Sequence, residues 1–546
     1  MIEEIYTRIE REGLRPIWIS LVPKEQALAR AAAMDSNLPL AGMPFAVKDN
    51  IDVAGMPTTA GCPAFAYTPA QSAPVVDALL AAGAILIGKT NMDQFATGLV
   101  GTRSPYGACG SVFDARYISG GSSSGSAVAV ASGLVRFALG TDTAGSGRVP
   151  AACNNIVGWK PTRGMVSAQG VVPACRTLDC VSVFTRDCAD ALRVMKVIAV
   201  PAHTASPWLG GPFRFGIPAS DQLEFFGDAD VAALYQQAIQ RFTQLGGTPV
   251  EIDFAPFRAA ADLLYSGPWV AERLAAIEDF FHAHAEAMDP TVRAIIGGAA
   301  RYTAVDTYRA MYRLAELKKR TESQWACMDV MLLPTTGTTY TIDQVRTDPL
   351  KLNSNLGYYT NFVNLLDLAA LAIPAGFRPN GLPFGVSLIG PAGSDAALLM
   401  LADQQYPDTP PGCVAVAVLG AHLTGQPLNW QLTQRGARLM KTCRTAPGYR
   451  FYALSGTVPA KPGLVRAPGF DGPGIEVEVW AMPEQNFGGF VAAIPPPLTI
   501  GSATLDDGSV VKCFLCEPYA IASAEEITVL GGWRAYRHRI SPSPRL

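Results

Sequence analysis

Over residues 1 to about 404, short apolar runs alternate with amphipathic stretches, and the alternation stops at QQYPDTPPGC. GMPFAVKDNIDV reads as a strand, VVDALLAAG as a helix and ILIGKT as a strand again. Strands interleaved with helices specify an α/β domain, expected here over residues 1–404. The polar, Pro-rich stretch 405–412 reads as a linker. Beyond it, VAVAVLGAHL, YRFYALSG, GIEVEVWAM and VVKCFLCEP are β-rich runs separated by Gly, Pro and Asp turns, so 413–546 is expected to form a small, mainly β domain. A chain of 546 residues exceeds what one hydrophobic core serves, which agrees with two domains. Residues 231–246 and 259 to about 320 read as helices that cover the sheet.

Composition narrows the function classes. Hydrophobic residues make up 49% and charged ones 16%, a globular balance with extensive burial. A net charge of -3, with no basic block interleaved with aromatics, gives no reason to bind nucleic acid and leaves small molecules as the expected partners. The acidic, amphipathic start lacks a basic leader and an apolar signal run, so export is not expected. The longest small-apolar stretch, Ser126 to Val135, ends at Arg136 and is too short to span a membrane. Eleven scattered cysteines read as free thiols in a reducing compartment, which points to the cytoplasm. Cys513 and Cys516 form one C-x-x-C with no second pair or nearby His, so no metal and no other cofactor is expected.

The segment richest in chemistry is SGGSSSGSAVAVASGLVRFALGTDTAGSGRVPAACNNIVGWKPT, from Ser119 to Thr162. A Gly/Ser turn feeds a run of small side chains suited to a closely packed helix. The strand-like RFALG then opens into a second turn, TDTAGSG, whose backbone N–H groups could converge on one point, as an oxyanion hole requires. A serine nucleophile needs a base. The histidines are His203, His282, His284, His422 and His538, so none lies in the first 202 residues and a local Ser-His-Asp site is excluded. Lys48 ends the apolar run FAV. There it would be poorly solvated, which lowers its pKa toward the neutral amine; the plain alternative is a strand-end salt bridge.

These residues resemble the amidase-signature family: GGSSSGS and GTDTAGS, with Ser122 and Ser146 24 positions apart, and Lys48 in an upstream VKDN. The resemblance implies a mixed sheet covered by helices and a triad in which Ser146 attacks an amide carbonyl, Ser122, on a cis peptide, relays the proton, and Lys48 is the final base. It also implies an oxyanion hole from the N–H groups of Thr143, Ala144, Gly145 and Ser146. Asp142 and Arg148, flanking the nucleophile turn, read as an ion pair that fixes it.

Ala144 and Gly147 in GTDTAGSGR are similar to the allophanate hydrolase branch of that family, as are GVVPACRTLDCVSVF, LYSGPWVAERLAAIE and LNSNLGYYTNFVNLLDL. That branch implies hydrolysis of allophanate to ammonia and carbon dioxide in urea, biuret or s-triazine nitrogen catabolism, by a cytoplasmic homodimer that could join a larger nitrogen-catabolism assembly. A small planar anion asks for a fixed cation, and Arg273, eight residues after Tyr265, matches the branch's substrate-binding pair at about two helical turns. The plain readings are an ion pair of Arg273 with Glu272 or Glu278 and helix packing of Tyr265. The tail resembles a gamma-glutamylcyclotransferase-like domain, credited in some members with speeding decarboxylation. Its candidate residue is His422, with Arg444, Tyr449 and Glu478 as further polar positions, while Trp430 stands where family members often have His. The resemblance also makes the start and the joins near 202–212 and 404–413 shorter than expected. The competing readings are an amidase of the same mechanism with another small amide and a non-catalytic scaffold of the same fold.

Overall fold

Eleven strands of the first unit, Met1–Gln405, form one mixed sheet. They are β1 (Trp18–Leu21), β2 (Pro44–Lys48), β3 (Ile85–Thr90), β4 (Phe137–Asp142), β5 (Val157–Lys160), β6 (Cys180–Thr185), β7 (Phe213–Pro218), β8 (Gly247–Ile252), β9 (Val330–Pro334), β10 (Ala369–Phe377) and β11 (Pro383–Gly390). Their order is β1-β3-β2-β4-β6-β5-β10-β11-β9-β7-β8. The computed structural model of the chain describes residues 2–12, 16–200, 211–405, 413–506 and 508–540. β2 runs parallel to both β3 and β4, and β7 parallel to β8 and β9. Neighbours such as β4–β6 and β10–β11 are antiparallel. Every residue of β2, β3, β4 and β6 is buried. Cover on both faces explains why these strands are continuous apolar runs rather than alternating ones.

The helix Ser124–Ala131 shows why the sequence spends small residues there. Ser124 to Val130 are all buried, and Ala127 to Val130 share one core cluster with Ala46 of β2 and Ala138 of β4. Small side chains let the helix axis approach the strands, while Ser126 Oγ donates to the Leu139 carbonyl at 2.9 Å, so the buried hydroxyl is satisfied.

The helix expected over 231–246 is Ala229–Gln244, N-capped by Asp228, whose carboxylate accepts from the Val231 N–H. The stretch from 259 to about 320 is helical as expected, in five α-helices, Ala255–Ser266, Trp269–Ala276, Glu278–His284, Pro290–Gly297 and Ala304–Trp325. The first break falls at Gly267-Pro268. Asp289 ahead of Pro290 caps the fourth helix, and a Thr303–Asp306 capping box starts the fifth. The helices serve different clusters: Phe257, Ala261 and Leu317 pack in one, whereas Val292 and Ile296 pack in another with Leu274 and Phe281 against it.

The second unit, Tyr406–Leu546, is mainly β. A five-stranded sheet takes the order β13-β16-β12-β18-β17 and a three-stranded one β15-β14-β19, from β12 (Cys413–Val418), β13 (Arg438–Arg444), β14 (Tyr449–Ala453), β15 (Pro462–Arg466), β16 (Glu476–Pro483), β17 (Leu498–Thr504), β18 (Val510–Cys516) and β19 (Glu525–Glu526). Residues 406–412 of the expected linker and 201–210 of the first join, with His203, lie outside the described residues.

Candidate active site

Lys48 closes β2, and the pairing of Val47 with Leu139 on β4 brings its amine level with the end of that strand. Its Nζ lies 2.7 Å from Ser122 Oγ and 2.7 Å from Thr141 Oγ1. Lys48 and Ser122 have no exposed surface. Burial pushes the lysine down to about 7, against the opposing pull of the Asp93, Asp179 and Asp142 carboxylates. A strand-end salt bridge is thus not what Lys48 makes: among the described residues it pairs with no carboxylate. That role belongs to its neighbour on β3, Lys89, which lies 3.3 Å from Asp49 with both side chains buried.

Ser122 sits in the turn before the helix Ser124–Ala131, on a cis Gly121–Ser122 peptide. Ser146 sits in the turn after β4, and its hydroxyl donates to the Gly98 carbonyl at 3.5 Å, the far limit of a hydrogen bond. No hydrogen bond joins Ser122 to Ser146 among the described residues. Rotation about one χ1 bond redirects the Ser146 hydroxyl. Neither His282 nor His284 reaches these serines, since both are exposed on the helix Glu278–His284.

The turn that carries Ser146 is held by the expected ion pair of Asp142 and Arg148. Arg148 donates from Nε and Nη2 to the two oxygens of Asp142, each at 2.9 Å, with both side chains fully buried. The arginine also donates to the Thr360 carbonyl and to Asn364 Oδ1. Asp142 further accepts the N–H groups of Gly145 at 2.9 Å and Gly147 at 3.0 Å. Of the four amides expected in an oxyanion hole, that of Gly145 donates to Asp142, because closing the turn on that carboxylate turns the amide inward. Thr143, Ala144 and Ser146 keep N–H groups with no acceptor among the described residues. Gly147 is required by packing, since a Cβ there would stand 2.5 Å from that of Ser182.

Tyr265 and Arg273 lie on two helices rather than on one, so their spacing is not two helical turns. The break at Gly267-Pro268 folds the second helix back, and Arg273 Cζ comes 5.7 Å from the centre of the Tyr265 ring. Arg273 is buried, donates from Nη1 to Thr97 Oγ1 at 2.9 Å, and leaves Nη2 buried with no partner. Neither glutamate takes it: Glu272 accepts from Thr177 and Glu278 faces His282. Ala144 packs in one cluster with Leu264 and Trp269, against which Tyr265 rests. The turn that carries Ser146 and the tyrosine–arginine pair therefore share a wall.

Sequence reasoning missed four residues at this site. Thr141 meets the Lys48 amine, Thr97 meets Arg273, and Asp179 accepts the Thr143 hydroxyl at 2.5 Å and the Ala174 and Cys175 amides. Asp93 is the fourth. Thr141 alone carried a signal, a hydroxyl in an otherwise apolar strand next to the turn that carries Ser146.

In the second unit His422 lines a cavity of about 210 Å³ with Gln431, Lys461 and Phe514. Its Nε2 lies 2.9 Å from Gln431 Oε1, its ring stacks on Phe514, and burial lowers its pKa. Glu478 is tied up by Thr424, Trp480 and Arg534, Tyr449 accepts the Thr504 N–H, and Arg444 donates to the Gly474 carbonyl. Trp430 is half exposed. Among the described residues no cluster of His, Cys, Asp or Glu is arranged to hold a metal ion, and no helix is long and apolar enough to cross a membrane.

A family model described as amidase matches residues 1–399, and the chain belongs to that family. Residues 414–538 match a second model, described as the allophanate hydrolase C-terminal domain. The chain is similar to the solved allophanate hydrolase of Kluyveromyces lactis at 40% identity and a TM-score of 0.71, covering 99% of this chain and 96% of that one. It is also 43% identical to the urea amidolyase of Saccharomyces cerevisiae over 97% of this chain and 32% of that protein. It thus spans about a third of the length of the urea amidolyases it matches.

Proposed function

We propose that the first unit hydrolyses allophanate through a Ser146–Ser122–Lys48 relay. One observation carries the reading: a buried amine, brought near neutrality by desolvation, lies 2.7 Å from the Ser122 hydroxyl. The neutral amine accepts the Ser122 proton while donating to Thr141, Ser122 takes the proton of Ser146, and Ser146 adds to the terminal amide carbonyl. The N–H groups of Thr143, Ala144 and Ser146 receive the developing oxyanion. The relayed proton leaves with ammonia, and water releases N-carboxycarbamate from the acyl-enzyme. The unpartnered Nη2 of Arg273 supplies the cation for the substrate's carboxylate, with Tyr265 beside it. No step needs a metal or organic cofactor.

Likeness to an allophanate hydrolase along nearly the whole chain supports this substrate over another small amide. Ammonia release measured on allophanate, biuret and a simple carboxamide tests the choice. Preference for allophanate is expected; equal rates on all three point to a general amidase, and no release from any points to a scaffold. The base also sets a pH dependence. Lys48 must be neutral to accept a proton, so kcat/KM rises with pH through a midpoint near 7 and is lost below it, as a pH–rate profile will report.

For the second unit we propose action on the released N-carboxycarbamate, with His422 as its candidate residue. His422→Ala is then expected to slow carbon dioxide release several-fold and to leave the first ammonia unchanged, as parallel assays of the two products will register. The free thiols support a reducing, cytoplasmic setting, and a homodimer serving nitrogen catabolism completes the reading.

A further inference from the structure

Asp93 is fully buried, and no step above uses it. Its Oδ1 accepts the Arg103 N–H at 2.9 Å, and its Oδ2 accepts those of Gly101 at 3.0 Å and Val100 at 3.3 Å. One carboxylate therefore gathers three amides of the 98–103 loop, whose Gly98 carbonyl is the acceptor of the Ser146 hydroxyl. The Asp93 backbone N–H donates to the Ser122 carbonyl at 3.1 Å. A Cβ on Gly121 would stand 2.1 Å from Asp93 Oδ2, and one on Gly98 2.5 Å. Glycine at both places is what lets the turn and the loop close on the same oxygen.

The charged groups facing Lys48 are Asp93, Asp179, Asp142 and Arg273. Asp142 is paired with Arg148, whereas Asp179 is held by the Thr143 hydroxyl and the Ala174 and Cys175 amides and makes no ion pair among the described residues. Asp93 has no cationic side chain against it among the described residues, since the Arg103 guanidinium donates to the Thr97 and Pro349 carbonyls. The other titratable group facing Asp93 is the buried Cys109 thiol, which burial pushes up to about 12.

We propose that Asp93 is a positioning residue for the triad: it clamps the Ser122 turn and the Ser146-facing loop together and presents to Lys48 a carboxylate that no ion pair engages. The inference rests on the proposed role of Lys48 as base, and its test separates the two. A serine-directed fluorophosphonate modifies an activated Ser146 without any amide substrate, so its labelling rate against pH reads the base directly on the full chain. Wild-type labelling is expected to rise with pH through a midpoint near 7. Removing a negative charge disfavours the ammonium form. Asp93→Asn is therefore expected to move the midpoint down by about half a pH unit or more and to lower the plateau by about tenfold or more. Asp93→Ser, which keeps an acceptor and leaves space for water, is expected to move the midpoint in the same direction.

A lowered plateau with an unmoved midpoint in both variants would overturn the proposal, since a merely structural carboxylate loses geometry without changing the base. Loss of the folded state in both, read by circular dichroism, would also overturn it by making Asp93 a residue of the fold alone. A wild type that is not labelled at any pH would remove the Lys48 reading itself.

Discussion

Ser146→Ala lowers ammonia release from allophanate by about ten-thousand-fold or more, with the unfolding midpoint unchanged. The size follows from chemistry: without Ser146 Oγ there is no acyl-enzyme, and the residual rate is what oriented amides and a bound substrate achieve with water alone. Stability is spared because the hydroxyl makes one contact, the 3.5 Å approach to the Gly98 carbonyl, while the turn is closed by Asp142 and Arg148, which the substitution leaves intact. Lys48→Ala is expected to match that loss of rate, and the double variant to be no slower than either single one, because members of one relay fail together. Steady-state assays with denaturant melts of the three variants decide it. A Ser146→Ala enzyme that keeps its rate would assign the nucleophile elsewhere.

Arg273→Leu raises KM for allophanate by about a hundredfold and leaves KM for an uncharged amide within about threefold. The guanidinium is buried, held by Thr97 through Nη1, and has Nη2 unclaimed. A carboxylate arriving there gains a charge-assisted hydrogen bond to a donor that is already desolvated and positioned. Leucine removes that donor and leaves the incoming anion without a partner in a buried place, whereas a neutral amide loses little. Tyr265→Phe keeps the ring that lies 5.7 Å from Arg273 and is expected to change KM far less. Paired Michaelis curves on the two substrates test this, and equal shifts on both would remove the carboxylate clamp.

The sequence by itself determined the two-unit organisation, the α/β character of the first unit and the β character of the second, because strand and helix periodicity are local properties of a chain. It also offered Lys48 as a base, since a strand-end lysine without a histidine nearby leaves few bases to choose from, while resemblance to the amidase-signature family singled out Ser122 and Ser146 among the serines of the two glycine turns. Only the tertiary structure decided the rest. Thr141 reaches Lys48 because β4 pairs with β2 in one register. Thr97 and Asp93 enter through a loop remote from both serines in sequence. Arg273 returns to Tyr265 only because the chain breaks at Gly267-Pro268. The Gly145 amide turned to Asp142 because a buried carboxylate must be satisfied by whichever donors the fold places around it. Periodicity is written along the chain, whereas hydrogen-bond partners are assigned by the packing of segments far apart in it.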